Sequence, residues 1–267
     1  MTVPLGRVLI IAGSDSGGGA GIQADIKAVT MLGGYAATAV TAITVQNTLG
    51  VSAVHAVPGE IIEAQGRAVL DDIGADAIKT GMLGDAATVE IAARLIDSAP
   101  HAPAVIDPVM IAKGGAALLQ VAAIEAMRRE LTPRASLLTP NAPEAEALTG
   151  LAVKSTDDMR RAGEALLRMG AKAVLMKGGH IEGDRLVDLL ITPQGETLFE
   201  AERIDTRHTH GTGCTLASAC AVGLAQGLDL TSAVARAWDY VHRAIAAAPS
   251  LGQGHGPLDH GWLLRDR

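Results

Sequence analysis

The chain has 267 residues, 48% hydrophobic and 19% charged, enough length and apolar content for one domain with a full core. A formal net charge of −7 argues against a general nucleic-acid or membrane-surface binder, since either needs a basic face. Residues 1–7 lack the basic segment and long apolar run of a secretory signal, and the run 8–12 is too short to span a bilayer, so a cytoplasmic protein is expected.

Short aliphatic runs predict strands over 7–12, 37–45, 77–80, 104–107, 136–139 and 173–177. Between and after them, helical periodicity predicts helices over 21–31, 60–73, 86–98, 121–131, 156–169, 215–228 and 231–247. Alternation of this kind produces an α/β fold: a mainly parallel central sheet with helices on both faces. Ser155 followed by Asp158 resembles a capping box at one helix start. Between Arg185 and Ile204 two β-rich runs flank Thr192-Pro193-Gln194-Gly195, which predicts a small antiparallel hairpin. No Pro/Ser-rich linker, charge block or long repeat divides the chain, so 1–267 is expected to be a single domain.

Several chemistries are excluded by inspection. There is no P-loop, no G-x-G-x-x-G after the first strand, no G-x-S-x-G and no H-E-x-x-H. Cys214 and Cys220, the two cysteines, fall on one predicted helix about 240° apart around its axis, so they do not pair. Neither they nor the eight scattered histidines have zinc-site spacing.

Polar residues stand instead just after the predicted strands, where open α/β sheets hold their ligands. Gly13-Ser14-Asp15-Ser16-Gly17-Gly18-Gly19-Ala20-Gly21 follows the first strand, with Asp25 on the next helix, and its glycines permit close approach of a ligand to backbone. Gln46-Asn47-Thr48 follows the second, with a side-chain amide that offers donor and acceptor to a planar heterocycle. Met82, in Lys79-Thr80-Gly81-Met82, suits a contact with a ring. Asp107 with Pro108-Val109-Met110, and Asn141 with Glu144, bring carboxylates to two further strand ends, where they could act on a hydrated Mg²⁺. Lys177, before Gly178-Gly179-His180, can meet a phosphate as a point charge. Each segment alone also admits a structural reading: a turn, a strand cap, a core methionine, a helix-start carboxylate, a solvated lysine.

Near the C-terminal end, His210-Gly211-Thr212-Gly213-Cys214-Thr215 runs into an apolar stretch with a helix expected from Thr215. The unpaired amides and positive dipole end of a helix start make an anion site, and a cysteine there loses its proton more easily. An ordinary glycine-rich loop with a buried cysteine is the alternative.

In sequence order these segments resemble the ribokinase-like superfamily and, within it, the hydroxymethylpyrimidine and phosphomethylpyrimidine kinases of thiamine biosynthesis. The resemblance runs from Ile10 to about Leu264, and Cys214, where most sugar kinases of the superfamily carry aspartate, is its most specific mark. It implies ATP- and Mg²⁺-dependent phosphorylation of 4-amino-5-hydroxymethyl-2-methylpyrimidine and then of its monophosphate. By the same resemblance Gly13, Ala20, Asp25, Gln46, Met82, Val109 and Cys214 surround the pyrimidine. Asn141, Glu144, Lys177 and Asp107 serve Mg²⁺-ATP, with the metal held by Asp107 and Glu144 through water, and residues 211–213 hold the transferred phosphoryl group. A homodimer is implied, with the 185–204 hairpin partly covering the substrate. His208, His210 and Asp205 match the pattern without acquiring a role. A pyridoxal kinase of the same branch is the nearest rival, although Gln46 favours the aminopyrimidine, and a non-catalytic sensor is a remote one.

Overall fold

The computed structural model describes residues 5–110, 121–181 and 183–265. Arg7–Asp15 (β1) leads through Gly21–Met31 (α1) into Tyr35–Asn47 (β2), which turns back as Gly50–Ala56 (β3). Gly59–Asp72 (α2), Ala77–Thr80 (β4), Ala86–Asp97 (α3), Ala104–Ile106 (β5), Val121–Ala126 (α4) and Leu137–Leu138 (β6) follow. The chain continues with Ala142–Thr149 (α5), Thr156–Arg168 (α6), Val174–Met176 (β7), Arg185–Thr192 (β8), Gly195–Glu202 (β9), Thr212–Ala225 (α7) and Leu230–Ala246 (α8).

Among the described residues, nine strands lie in one sheet ordered β3-β2-β1-β4-β5-β6-β7-β8-β9. From β2 to β7 neighbours are parallel, and antiparallel pairing is confined to β3 at one edge and β8–β9 at the other. After β1 the chain first adds β2 on one side and later β4 on the other. That reversal opens a crevice beyond the carboxyl ends of the strands, where such sheets bind ligands.

Side chains alternate across the sheet, so one strand feeds two cores. Leu9, Ile11, Ile78, Ile106, Leu138 and Val174 pack with residues of α2 to α6 on one face. Val8, Ile10, Ala77, Val105, Leu137 and Leu175 pack with α1, α7 and α8 on the other. Because both faces are covered, the central strands read as continuous aliphatic runs, and burying each large side chain contributes about 1.5–3 kcal/mol.

Local chemistry accounts for the departures from the sequence reading. The second strand extends to Asn47, whose Oδ1 accepts the Leu49 amide at 2.9 Å and tightens the turn into β3, a strand not expected from its exposed and weakly patterned residues. Pro143 does not prevent a helix: it occupies the first turn of α5, where its missing N–H has no cost. The 121–131 helix divides into α4 and a wider turn over Met127–Leu131. At α6 Ser155 Oγ accepts the Asp158 amide at 3.2 Å as expected, and the Asp158 carboxylate accepts the Lys154 amide at 3.0 Å. The 185–204 hairpin forms as β8–β9 and extends the sheet beyond β7, at the edge opposite the β2–β3 pair that carries Gln46. That position corrects the expectation that it covers the substrate side.

At the β7–β8 contact a Cβ on Gly178 would collide with the Val187 carbonyl oxygen in the strand backbone. Gly178→Ala is therefore expected to cost about 1–3 kcal/mol by overpacking, read from urea unfolding midpoints. An unchanged midpoint would refute the contact.

Candidate active site

The C-terminal glycine run closes on the first one. Gly211 caps α7 with φ +86°, a left-handed conformation in which a side chain is strained, and a Cβ there would also strike the Gly19 carbonyl oxygen. Its own carbonyl accepts from Thr215 N at 2.9 Å and Thr215 Oγ1 at 2.8 Å. The helix therefore starts at Thr212, three residues before the expected position. Gly213 and Cys214 consequently lie within the first turn, whose amides have no helical acceptor and sit at the positive dipole end. A Cβ on Gly213 would be 3.2 Å from Lys177 Nζ and 3.6 Å from Asp107 Oδ2, so this helix start stands directly over both side chains.

Lys177 and Asp107 leave the ends of β7 and β5 and meet at 2.9 Å, with Glu144 Oε2 3.7 Å from the same ammonium. Thr139 Oγ1, after β6, donates to Asp107 Oδ1 at 3.2 Å. Asn141 and Glu144 form a complete capping box on α5: Glu144 N donates to Asn141 Oδ1 at 3.0 Å and Asn141 N donates to Glu144 Oε2 at 2.8 Å. The helix-cap and ligand readings of these two residues thus coexist, because the cap is what aims Glu144 at Lys177. Burial pushes the Glu144 carboxyl up to about 7, opposed by Lys177 and reinforced by Asp107. Lys177 stays firmly cationic, since Asp107 and Glu144 outweigh its burial.

Beneath Cys214 lies a fully enclosed ion pair. Lys79 Nζ donates to both oxygens of Asp25 at 2.9 Å, both side chains 0% exposed, and Ser218 Oγ, one turn after Cys214 on α7, donates to Asp25 Oδ1 at 2.7 Å. Asp25 therefore supports the pocket from behind and has no surface to offer a substrate, a correction to its expected place around the ring. Cys214 is partly exposed, yet burial pushes its thiol up to about 12, with Asp25 and Asp107 adding to the rise against Lys79. The thiol is neutral in the working pH range. A helix start alone would lower its pKa, but here desolvation and two carboxylates win.

The remaining predicted residues line the other side. Gly13 abuts Met82, whose Sδ would be 3.2 Å from a Cβ at that glycine. Thr41 Oγ1 donates to the Met82 carbonyl at 2.7 Å and holds that turn. Ala20 caps α1 against Gly211, while Val109 is half-buried beside Asp107, its amide donating to the Asp107 carbonyl at 2.8 Å. Ser16 clamps Gln46, donating to its carbonyl at 2.8 Å and accepting its amide at 2.9 Å. His210 Nε2 lies 2.8 Å from Asp15 Oδ2 and 3.3 Å from Gln46 Nε2, joining the ends of β1 and β2 to the segment before α7.

The sequence pattern that defines the phosphomethylpyrimidine kinase family matches residues 15–259. The chain belongs to that family. A hydroxymethylpyrimidine/phosphomethylpyrimidine kinase of Streptomyces coelicolor is 51% identical over 264 residues, covering 99% of this chain and 97% of that protein. Among solved structures, the Bacillus subtilis pyridoxal kinase in its ADP complex superposes with a TM-score of 0.91 at 37% identity, over 98% of this chain and 99% of the other. A phosphomethylpyrimidine kinase from Clostridium difficile 630 gives 0.80 at 41% identity, over 90% and 99%. Family membership makes the chain a ribokinase-like kinase, and its family neighbours include an ADP complex.

Sequence reasoning missed the partners behind the family residues: Lys79 and Ser218 for Asp25, Thr139 for Asp107, and Asp15 for His210. Lys79 left one signal, a lysine inside a short strand, Ala77-Ile78-Lys79-Thr80, buried throughout. Lys79→Met strands a buried carboxylate and is expected to cost about 3–5 kcal/mol in urea unfolding, whereas the Lys79→Met/Asp25→Leu double variant regains most of it. A single variant as stable as the parent would contradict the enclosed pair.

Proposed function

We propose that this kinase transfers a phosphoryl group from ATP to the hydroxymethyl oxygen of 4-amino-5-hydroxymethyl-2-methylpyrimidine and then to the resulting monophosphate. The observation that carries the reading is the convergence of the α7 first turn, Lys177 and Asp107 at one point, with Gly213 within 3.2 Å of Lys177 Nζ as measured from a Cβ position. We further read the chain as a single cytoplasmic domain working as a homodimer. The exposed Ile43 and Val45, on one face of β2, are an apolar surface that a second copy would cover. Among the described residues, no helix is long and apolar enough to cross a membrane.

Mg²⁺-ATP, when bound, supplies the phosphoryl group and part of the charge screening. Among the described residues no group of three or more His, Cys, Asp or Glu could hold a metal. The donor set of Asp107 and Glu144 fits an ion that keeps several waters and arrives with nucleotide phosphates. Gly213 and Cys214 amides, with Lys177, face the negative charge spread over the transferring group and stabilise it without reorganising. Gln46, Gly13 and Met82 hold the ring, and the neutral Cys214 lies beside the acceptor oxygen.

A neutral thiol explains how one pocket accepts both an alcohol and a phosphate, because a fixed carboxylate would repel the second acceptor. Cys214→Asp should therefore depress the second phosphorylation at least about tenfold more than the first. If both steps respond alike when assayed separately, the charge argument fails.

Glu144 gives a pH signature. With its carboxyl near 7, it is largely neutral at pH 6 and ionised at pH 8, so Mg²⁺-nucleotide affinity should rise over that interval. Glu144→Gln, which can still accept the Asn141 amide, should flatten the rise in calorimetric titrations. Because the folded pKa exceeds the unfolded one, the same ionisation reduces stability as pH rises from 4.5 toward 7.

Close superposition on a pyridoxal kinase supports a second reading, pyridoxal phosphorylation. Gln46 favours the first, since its amide matches an edge with a ring nitrogen beside an amine, which pyridoxal lacks. Parallel incubations of the purified protein with Mg²⁺-ATP and either the hydroxymethylpyrimidine or pyridoxal decide between them. Product with pyridoxal alone would overturn the proposal.

A further inference from the structure

Phosphoryl transfer leaves His210 unused, yet the ring is held in a polar knot at the substrate edge. Asp15 accepts amides from Gly17 at 2.8 Å, Gly19 at 3.1 Å and Ala20 at 2.8 Å. Its burial opposes ionisation, but His210 and the Ala20 and Gly17 amides hold its carboxyl below the usual range. An ionised carboxylate can only accept, so His210 Nε2, 2.8 Å from Asp15 Oδ2, carries the proton.

Gln46 lies between this N–H and a second polar group, Thr44. As placed, its Nε2 is 3.3 Å from His210 Nε2 and its Oε1 is 3.0 Å from Thr44 Oγ1. Thr44 Oγ1 is also 2.9 Å from the Ser14 carbonyl, so its single proton cannot serve both that oxygen and Gln46 Oε1. That orientation sets N–H against N–H at one end and leaves two acceptor oxygens competing for one hydroxyl proton at the other. Turning the amide by 180° resolves both conflicts: Nε2 donates to Thr44, and Oε1 shares the His210 proton with Asp15.

We propose that His210, oriented by Asp15, is a positioning residue that turns the Gln46 amide oxygen toward itself and the nitrogen toward Thr44, and so sets which way round the substrate edge binds. The inference rests on the aminopyrimidine reading. In this orientation one N–H remains free on the Thr44 side and one lone pair on the His210 side. A ring nitrogen therefore docks on the Thr44 side and the adjacent amine on the His210 side, and the reversed ring meets like against like.

The test compares the aminopyrimidine with its analogue lacking the exocyclic amine, in the parent, in His210→Leu and in Thr44→Val. Both substitutions release the amide from opposite ends, one in strand β2 and the other in the segment before α7. The kcat/KM preference for the amino substrate should fall about tenfold in each variant, the loss of one oriented hydrogen bond. A purely structural role would lower activity on both substrates equally, and equal losses in both variants overturn the proposal. Nitrogen-15 NMR of the intact parent protein supplies a measurement independent of folding in the variants. It should show His210 Nε2 protonated, and an unprotonated Nε2 overturns the orientation. A parent enzyme inactive on both pyrimidines would sink the substrate docking through the underlying reading, while the nitrogen spectrum would still decide the His210–Gln46 orientation.

Discussion

A left-handed turn at Gly211 sets where the first amides of α7 point, and the site is arranged around that direction. The turn lets the 209–211 loop press against Gly19, which brings the two glycine runs into contact across the crevice. It also starts the helix early enough that Gly213 and Cys214 belong to the end with unpaired donors. Lys177 and Asp107 come to that point because β7 and β5 are parallel and end on the same side of the sheet. A sheet with mixed strand directions in its centre would scatter them.

Buried charge gives the pocket its electrical character. Lys79 and Asp25 neutralise one another beneath the floor, so neither places net charge against a ligand. Above them Cys214 is held neutral by desolvation and by carboxylates that disfavour a thiolate. Lys177 remains positive where negative charge must be gathered, because two acids surround it. The crevice is thus uncharged next to the acceptor, and next to the migrating group it sets a cation among two carboxylates. Both are consequences of which side chains are paired.

Parts of this were legible in the residues. Strands β1, β4, β5, β6 and β7 announce themselves as aliphatic runs because both faces are buried, and the polar residue that follows each run marks the crevice. The turn around Pro193-Gln194 was readable from its flanking β-branched and aliphatic residues. Less was readable where short segments depend on partners. β3 exists because β2 offers it an edge, and α5 forms over a proline because Asn141 and Glu144 cap it. His210 and Asp15 are separated by 195 positions, and no local pattern joins them.

By itself the sequence determined the α/β class, the order of the motifs and the family, since these follow from periodicity and from residue types at fixed spacing along the chain. Only the tertiary structure decided that Asp25 is walled in by Lys79 and Ser218, that the Cys214 thiol keeps its proton, and that Gln46 is gripped between Thr44 and His210. Those outcomes depend on distances and desolvation between segments far apart in the chain, quantities that come into being when the sheet assembles.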